Sequence, residues 1–167
     1  RGLGDVYKRQ PIMPQPELLV CGSGPVASAL LRIAASFGFS LVLCGEIEHA
    51  IADRQYASLG EMCSASLPAV DRYIVIATQG KGDVAALQAV LKMAASYAAF
   101  VGSRRKFASY EDKLTEAGVS AEEIATVRSP AGVHINAVTP DEIALSIMAE
   151  IIQTRRTARQ QHAADDA

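Results

Sequence analysis

Four short apolar runs limit the architectures open to this chain: LLVC at 18–21, LVLC at 41–44, YIVIA at 73–77 and AAFV at 98–101. None alternates strictly with polar residues, so each predicts a strand buried on both faces. Helix-periodic segments separate the runs, which is the pattern of a parallel sheet covered by helices on both sides. The expected fold is α/β, a Rossmann-like three-layer αβα sandwich with a mostly parallel sheet. The first helix follows Gly24, carries Val26, Leu30, Ile33 and Phe37 on one stripe, has Pro25 near its first position and stops at Gly38. A second is expected over about 83–94, a third from Ser103 and a short fourth from Ser120, where SAEE offers a capping box with Glu123. The last starts at Thr139 with TPDE and runs through Ile143, Ile147 and Ile151 to Arg155 and Arg156. A short strand is expected just before Ser129, and residues 46–71 give no firm pattern.

With 167 residues, half of them hydrophobic, the chain has enough material for one core and little room for two. Residues 1–10 are set apart, because the stretch 5–10 resembles the conceptual translation of a sequencing adaptor, and they are expected to be an artefact. Residues 11–17 read as a Pro-rich linker, 18–156 as the domain, and 157–167 as a polar, disordered tail. The net charge of -2 speaks against broad nucleic-acid binding. No apolar run approaches the roughly 18 residues of a membrane span and no secretory h-region is visible, so no membrane association and a cytoplasmic location are expected. Cys21, Cys44 and Cys63 show no metal-ligand spacing, and His49, His134 and His162 are scattered, so no metal site is expected.

Three strand-to-helix junctions carry the candidate chemistry. Gly22-Ser23-Gly24-Pro25-Val26-Ala27 fits the glycine fingerprint of dinucleotide-binding folds, in which glycines allow a tight turn and close approach of a pyrophosphate. Glu46 lies at the distance expected of a ribose-binding acid, although Gly45 displaces it from the strand end and a surface role fits equally. Thr78-Gln79-Gly80-Lys81-Gly82-Asp83 offers a hydroxyl, an amide and unhindered backbone N–H groups, or simply a turn closed by the Asp83 helix cap. Gly102 and Ser103 lead into Arg104, Arg105 and Lys106. A Ser103 cap puts these three cations in the first helical turn, against the macrodipole, where an anion is welcome. The alternative is a solvated basic patch. His134, in the stretch 129–136, reads as a packed or surface residue and not as a catalyst.

GSGPVA, TQGKGD, VGSRRK and SPAGVHINAVTPDEIALSIMAEI together resemble the Rossmann-like domain of the XdhC/CoxI family, over about residues 17–156. Members are accessory proteins of molybdenum hydroxylases such as xanthine dehydrogenase and carbon monoxide dehydrogenase. The resemblance implies an accessory factor and not a turnover enzyme: a domain that binds the molybdenum cofactor, as molybdopterin or its dinucleotide, assists its sulfuration and delivers it to the apoenzyme. Implied partners are the molybdenum hydroxylase apoenzyme, a cofactor sulfurase and a second copy of the chain in a homodimer. On this resemblance the cofactor-binding positions are Gly22, Ser23, Gly24, Pro25, Thr78, Gln79, Gly80, Gly102, Ser103, Arg104, Arg105 and Lys106. Two departures from the family pattern are visible: Pro25 stands where many members have histidine, and the aspartate often found near position 46 is absent. Full-length members carry a further N-terminal domain with a cysteine used in cofactor handling, a role that Cys21, Cys44 and Cys63 do not inherit.

Two other functions fit the residues. An NAD(P)-dependent oxidoreductase is supported by GSGPVA and Glu46, but no residue pair presents itself for proton transfer. A nucleotide-binding regulatory domain would act through dimerisation, using the broad apolar stripe of the last helix with Leu145 and Ile152, a stripe that core packing would use equally.

Overall fold

The computed structural model describes residues 14–165. The segment set apart at 1–10 therefore lies outside the described residues. Six strands, β1 (Glu17–Cys21), β2 (Ser40–Cys44), β3 (Arg54–Tyr56), β4 (Arg72–Ile76), β5 (Tyr97–Phe100) and β6 (Val127–Arg128), form one sheet in the order β3-β2-β1-β4-β5-β6. Every neighbouring pair is parallel. The helices are α1 (Pro25–Ala34), α2 (Leu59–Ser64), α3 (Asp83–Leu91), α4 (Arg104–Glu116), α5 (Ala121–Ala125) and α6 (Pro140–Asp165).

The two-sided apolar character of the strands sorts into two cores. Leu18, Val20, Leu41, Leu43, Tyr73 and Val75 face α1 and α6, while Leu19, Val42, Ile74 and Ile76 face α2, α3, α4 and α5. Consecutive strand side chains point to opposite faces, so both helical layers draw on the same short runs. Each fully buried Leu or Ile contributes about 1.5–3 kcal/mol relative to an exposed one, which makes these rows the main source of stability.

At the amino-terminal edge of the sheet, Glu17 is a buried carboxylate held by two guanidinium groups, Arg72 Nε at 2.5 Å and Arg54. Glu17 thus belongs to β1 and not to the linker expected over 11–17. Arg54 sits on β3, so the same carboxylate fastens the edge strand to the centre. The stretch 46–71, unreadable as sequence, holds β3 and α2. Ser58 caps α2 by accepting from Glu61 N–H at 3.2 Å, and Glu61 Oε2 accepts from Ala57 N–H at 2.8 Å. Ser58-x-x-Glu61 is thus a capping signal hidden in a stretch with no apolar period to mark it.

A second correction concerns the carboxyl end. Residues 157–165 continue α6 and are not a disordered tail. Alanine, arginine and glutamine are strong helix formers, and propagation costs little once the helix has nucleated. No helix among the described residues is long and apolar enough to cross a membrane.

Candidate functional site

The three glycine-bearing junctions and the stretch after β6 all emerge at the carboxyl ends of the strands, the edge where open α/β sheets bind ligands. After β1 the chain turns at Gly22, whose φ of 145° suits glycine and whose absent Cβ leaves room for the Ala77 carbonyl. Gly22 N–H donates to Cys44 O at 2.9 Å, and Ser23 Oγ accepts from Glu46 N–H at 3.0 Å. The β1 and β2 turns are therefore stitched together. Ser23 holds a loop, and the Glu46 side chain is exposed outside the cleft lining.

Gly22, Ser23 and Gly24 line a cleft of about 270 Å³ with Thr78, Gln79 and Ser58. Gly24 has an extended backbone, and what it accommodates is the Gln79 amide: an added Cβ would lie 2.5 Å from Gln79 Cδ. The Gln79 side chain thus covers the position at which a pyrophosphate would meet Gly24. Pro25 begins α1 and does not line this cleft. Its floor includes Cys21 and Cys44, register partners on β1 and β2. Hydrogen bonding between the two thiols, reinforced by burial, raises Cys21 well above the usual thiol range, and the same bond lowers Cys44.

Behind the cleft lies a lock centred on Asp83. Its buried carboxylate accepts from the Thr78 hydroxyl, from Gly80 N–H at 2.9 Å and from the Tyr110 hydroxyl at 2.8 Å, and pairs with Lys106 Nζ at 2.9 Å. Burial pushes the Asp83 acid up, but the Thr78, Lys106, Tyr110 and Gly80 donors outweigh it and hold the group below the ordinary carboxylate range. The β4–α3 loop is thereby pinned to α4. Thr78, Gly80 and Lys106, expected from the sequence to meet a ligand, also serve this lock, and Asp83 is not the expected helix cap: Gly82 holds the N-cap position of α3, and the Asp83 carboxylate turns to the loop and α4 instead.

The cation triplet after β5 is divided by the fold. Ser103 caps α4, its Oγ accepting from Lys106 N–H at 3.1 Å, so all three cations do occupy the first turn. Lys106 turns inward to Asp83 and over the Phe100 ring. Arg104 and Arg105 are exposed and form no ion pair among the described residues. Arg104 lines a second, larger cleft of about 870 Å³ with Gly102, Ser103 and the stretch 129–137, whereas Arg105 lines neither cleft.

The far wall of the larger cleft is fixed to α6. Glu150 accepts from Gly132 N–H at 2.9 Å and the Tyr97 hydroxyl at 2.6 Å, and pairs with Arg128 at 3.2 Å. Gly132, at φ 94°, packs so closely on Ser146 that no side chain fits. Ala131 N–H donates to Phe100 O and Val133 N–H to Ser146 O, both at 3.1 Å. Ser129 Oγ is shielded from solvent with no hydrogen-bond partner among the described residues. A buried hydroxyl left unpaired costs about 1–3 kcal/mol. Sequence reasoning missed this wall. The glycine and glutamate were readable, but their contacts join residues far apart in the chain.

An all-parallel six-stranded sheet in this order, with a glycine turn after β1 and clefts along the carboxyl edge, defines a Rossmann-like α/β domain. More narrowly, the chain belongs to the XdhC Rossmann domain family, which it matches over residues 18–151. It is 30% identical to "Uncharacterized protein YqeB" of Escherichia coli (strain K12), across 86% of this chain and 28% of that protein. It is 27% identical to a probable xanthine dehydrogenase subunit of Bacillus subtilis (strain 168), across 88% of this chain and 45% of the relative. Among solved structures, a xanthine dehydrogenase of Bacillus halodurans superposes with a TM-score of 0.70 at 26% identity, over 86% of this chain and 44% of that one. The chain thus spans less than half the length of these relatives.

Proposed function

We propose that this domain serves the maturation of a xanthine-dehydrogenase-type molybdenum hydroxylase by binding the molybdenum cofactor and presenting it to the apoenzyme. Family membership and the names of the Bacillus relatives support the accessory role. The observation that carries the binding role is the meeting of VGSRRK and SPAGVHIN, segments distant in sequence, around one cleft with a guanidinium at its rim. Arginine is suited to the phosphate of such a cofactor, because its planar fork offers paired donors and stays charged. The residues fit the group in another respect, since the shielded Ser129 hydroxyl lacks a hydrogen-bond partner among the described residues. The titratable groups on the larger cleft are spoken for or apart: Glu150 is engaged by Tyr97, Gly132 and Arg128, and His134 is exposed, an arrangement suited to holding a ligand. Delivery then requires a second protein, the apoenzyme, and sulfuration a cofactor sulfurase.

The test is equilibrium binding of the purified chain to molybdenum cofactor, with NAD and NADP in parallel, followed by fluorescence quenching. Saturable cofactor binding that exceeds nicotinamide binding is expected. Tight NAD or NADP binding with no affinity for molybdenum cofactor would replace the proposal with an oxidoreductase.

A further inference from the structure

We infer that Cys21 and Cys44 form a peroxide-oxidisable dithiol at the floor of the smaller cleft, a modification site whose disulfide joins β1 to β2 just ahead of the Gly22 and Gly45 turns. The oxidant class is a small hydroperoxide. The proposed function leaves both thiols without a role, and their pairing holds whichever ligand the clefts take.

Placement comes first. Cys21 and Cys44 end their strands as register partners, and both side chains lie on one face of the sheet, in the core that contains Met62. Neighbouring strands run about 4.7–4.9 Å apart, inside the span of about 4.4–6.8 Å over which a disulfide joins two Cα atoms. The thiols already meet, since Cys21 and Cys44 are hydrogen-bonded to each other. Both are free, both are buried from the bulk surface, and both border the 270 Å³ cleft. A pair so placed admits a peroxide from the cleft and turns away bulky reagents. Cys63 differs on each count, being exposed, on α2 and outside the lining of that cleft.

Chemistry assigns the order of events. The Cys21 hydrogen bond lowers Cys44 in spite of burial and the Glu61 carboxylate, which makes Cys44 the nucleophile and leaves the proton on Cys21. Cys44 Sγ attacks one peroxide oxygen, the O–O bond breaks, and Cys44 becomes a sulfenic acid. The proton given up when Cys44 ionises ends on the departing oxygen, which leaves as water or an alcohol. Cys21 Sγ then displaces hydroxide from the Cys44 sulfur. The S–S bond forms, the S–O bond breaks, and the Cys21 proton leaves with the hydroxide as water. Two thiols are oxidised and one peroxide is reduced, with no further reactant. Gly22 N–H already donates to Cys44 O at 2.9 Å, so the disulfide reinforces a junction that the backbone has made and fixes the floor of the cleft.

The experiment titrates the purified chain at pH 7 with hydrogen peroxide, blocks the remaining thiols with N-ethylmaleimide, counts them and maps disulfides by mass spectrometry. Trypsin cleavage at Arg32 separates the two cysteines, so the bond appears as peptides 10–32 and 33–54 joined. Free thiols are expected to fall from three to one before Cys63 is lost, with that joined pair as the product and full recovery on adding dithiothreitol. In Cys63→Ser the same peptides should join. In Cys21→Ala a dimedone adduct on Cys44 should replace the bond, and in Cys44→Ala Cys21 should stay a thiol. The wild-type map stands without any variant, so a variant that fails to fold leaves the test intact. Oxidation of Cys63 while Cys21 and Cys44 stay free, sulfinic acid on Cys44 with no bond, or a bond formed only in urea each overturns the inference.

Discussion

Asp83 is the residue on which the β4–α3 loop depends. One carboxylate answers a hydroxyl on each side, a backbone N–H and an ammonium, and it lies almost wholly out of solvent. Asp83→Asn keeps the shape and removes the charge that Lys106 and Tyr110 face. Removing one partner of a buried pair costs about 3–5 kcal/mol, and the partial exposure of Lys106 places this case near about 3 kcal/mol. The sign of the pH dependence follows from the lowered acid. Stability from Asp83 is fully present above the unfolded-state value of about 3.9 and is lost as pH falls through the still lower folded value. Urea unfolding at pH 7 and pH 3 should therefore show wild type and Asp83→Asn separated at neutral pH and converging in acid. A separation independent of pH would mean that the charge is not what holds the loop.

Among the elements, α6 acts on the site from a distance through Glu150. In Glu150→Ala the Tyr97 hydroxyl, Gly132 N–H and Arg128 all lose their acceptor. At about 1–3 kcal/mol for each buried group left unpaired, a loss of about 3 kcal/mol is expected. Backbone amides of 131–133 should also lose hydrogen-exchange protection, while those of β1 and β2 should not. Uniform loss across the sheet would show Glu150 to be a general core residue with no particular hold on the cleft wall. Burial, followed by the Glu150 bond, drives the Tyr97 phenol far above the usual tyrosine range, so this contact keeps its hydroxyl donor through neutral pH. The contrast between elements explains what was legible in the sequence. The strands at 18–21, 41–44, 73–77 and 98–101 were readable because both of their faces are apolar, and α4 because Ser103, Phe107 and Leu114 mark its start and its buried side. The strand β3 was not, since Arg-Gln-Tyr at a sheet edge has no apolar period and is fixed by a carboxylate 37 residues away. Of the site, the positions of the junctions were legible. The inward turn of Lys106, the Gln79 cover on Gly24 and the anchoring of 131–133 were not, because each is set by a partner distant in the chain.

On the scale of the whole molecule, α1 and α6 together seal one face of the sheet, and Ala144, Ile147, Met148 and Ile151 supply the α6 share of that core. A chain ended after residue 139 would leave the α1 layer and the Leu18, Leu43 and Val75 side chains half covered. It is expected to retain far-ultraviolet helical signal and to bind the dye ANS strongly, as loosely packed states do, whereas cooperative unfolding with weak dye binding would show that the other layer suffices. The position of α6 also sets a temporal order. On the ribosome it emerges after every strand, so the glycine turns at 22–24 and 78–82 are made long before the helix that braces the wall opposite Arg104. The larger cleft is consequently finished only once α6 has been made, and a chain stalled before residue 150 has the strands of the sheet without it.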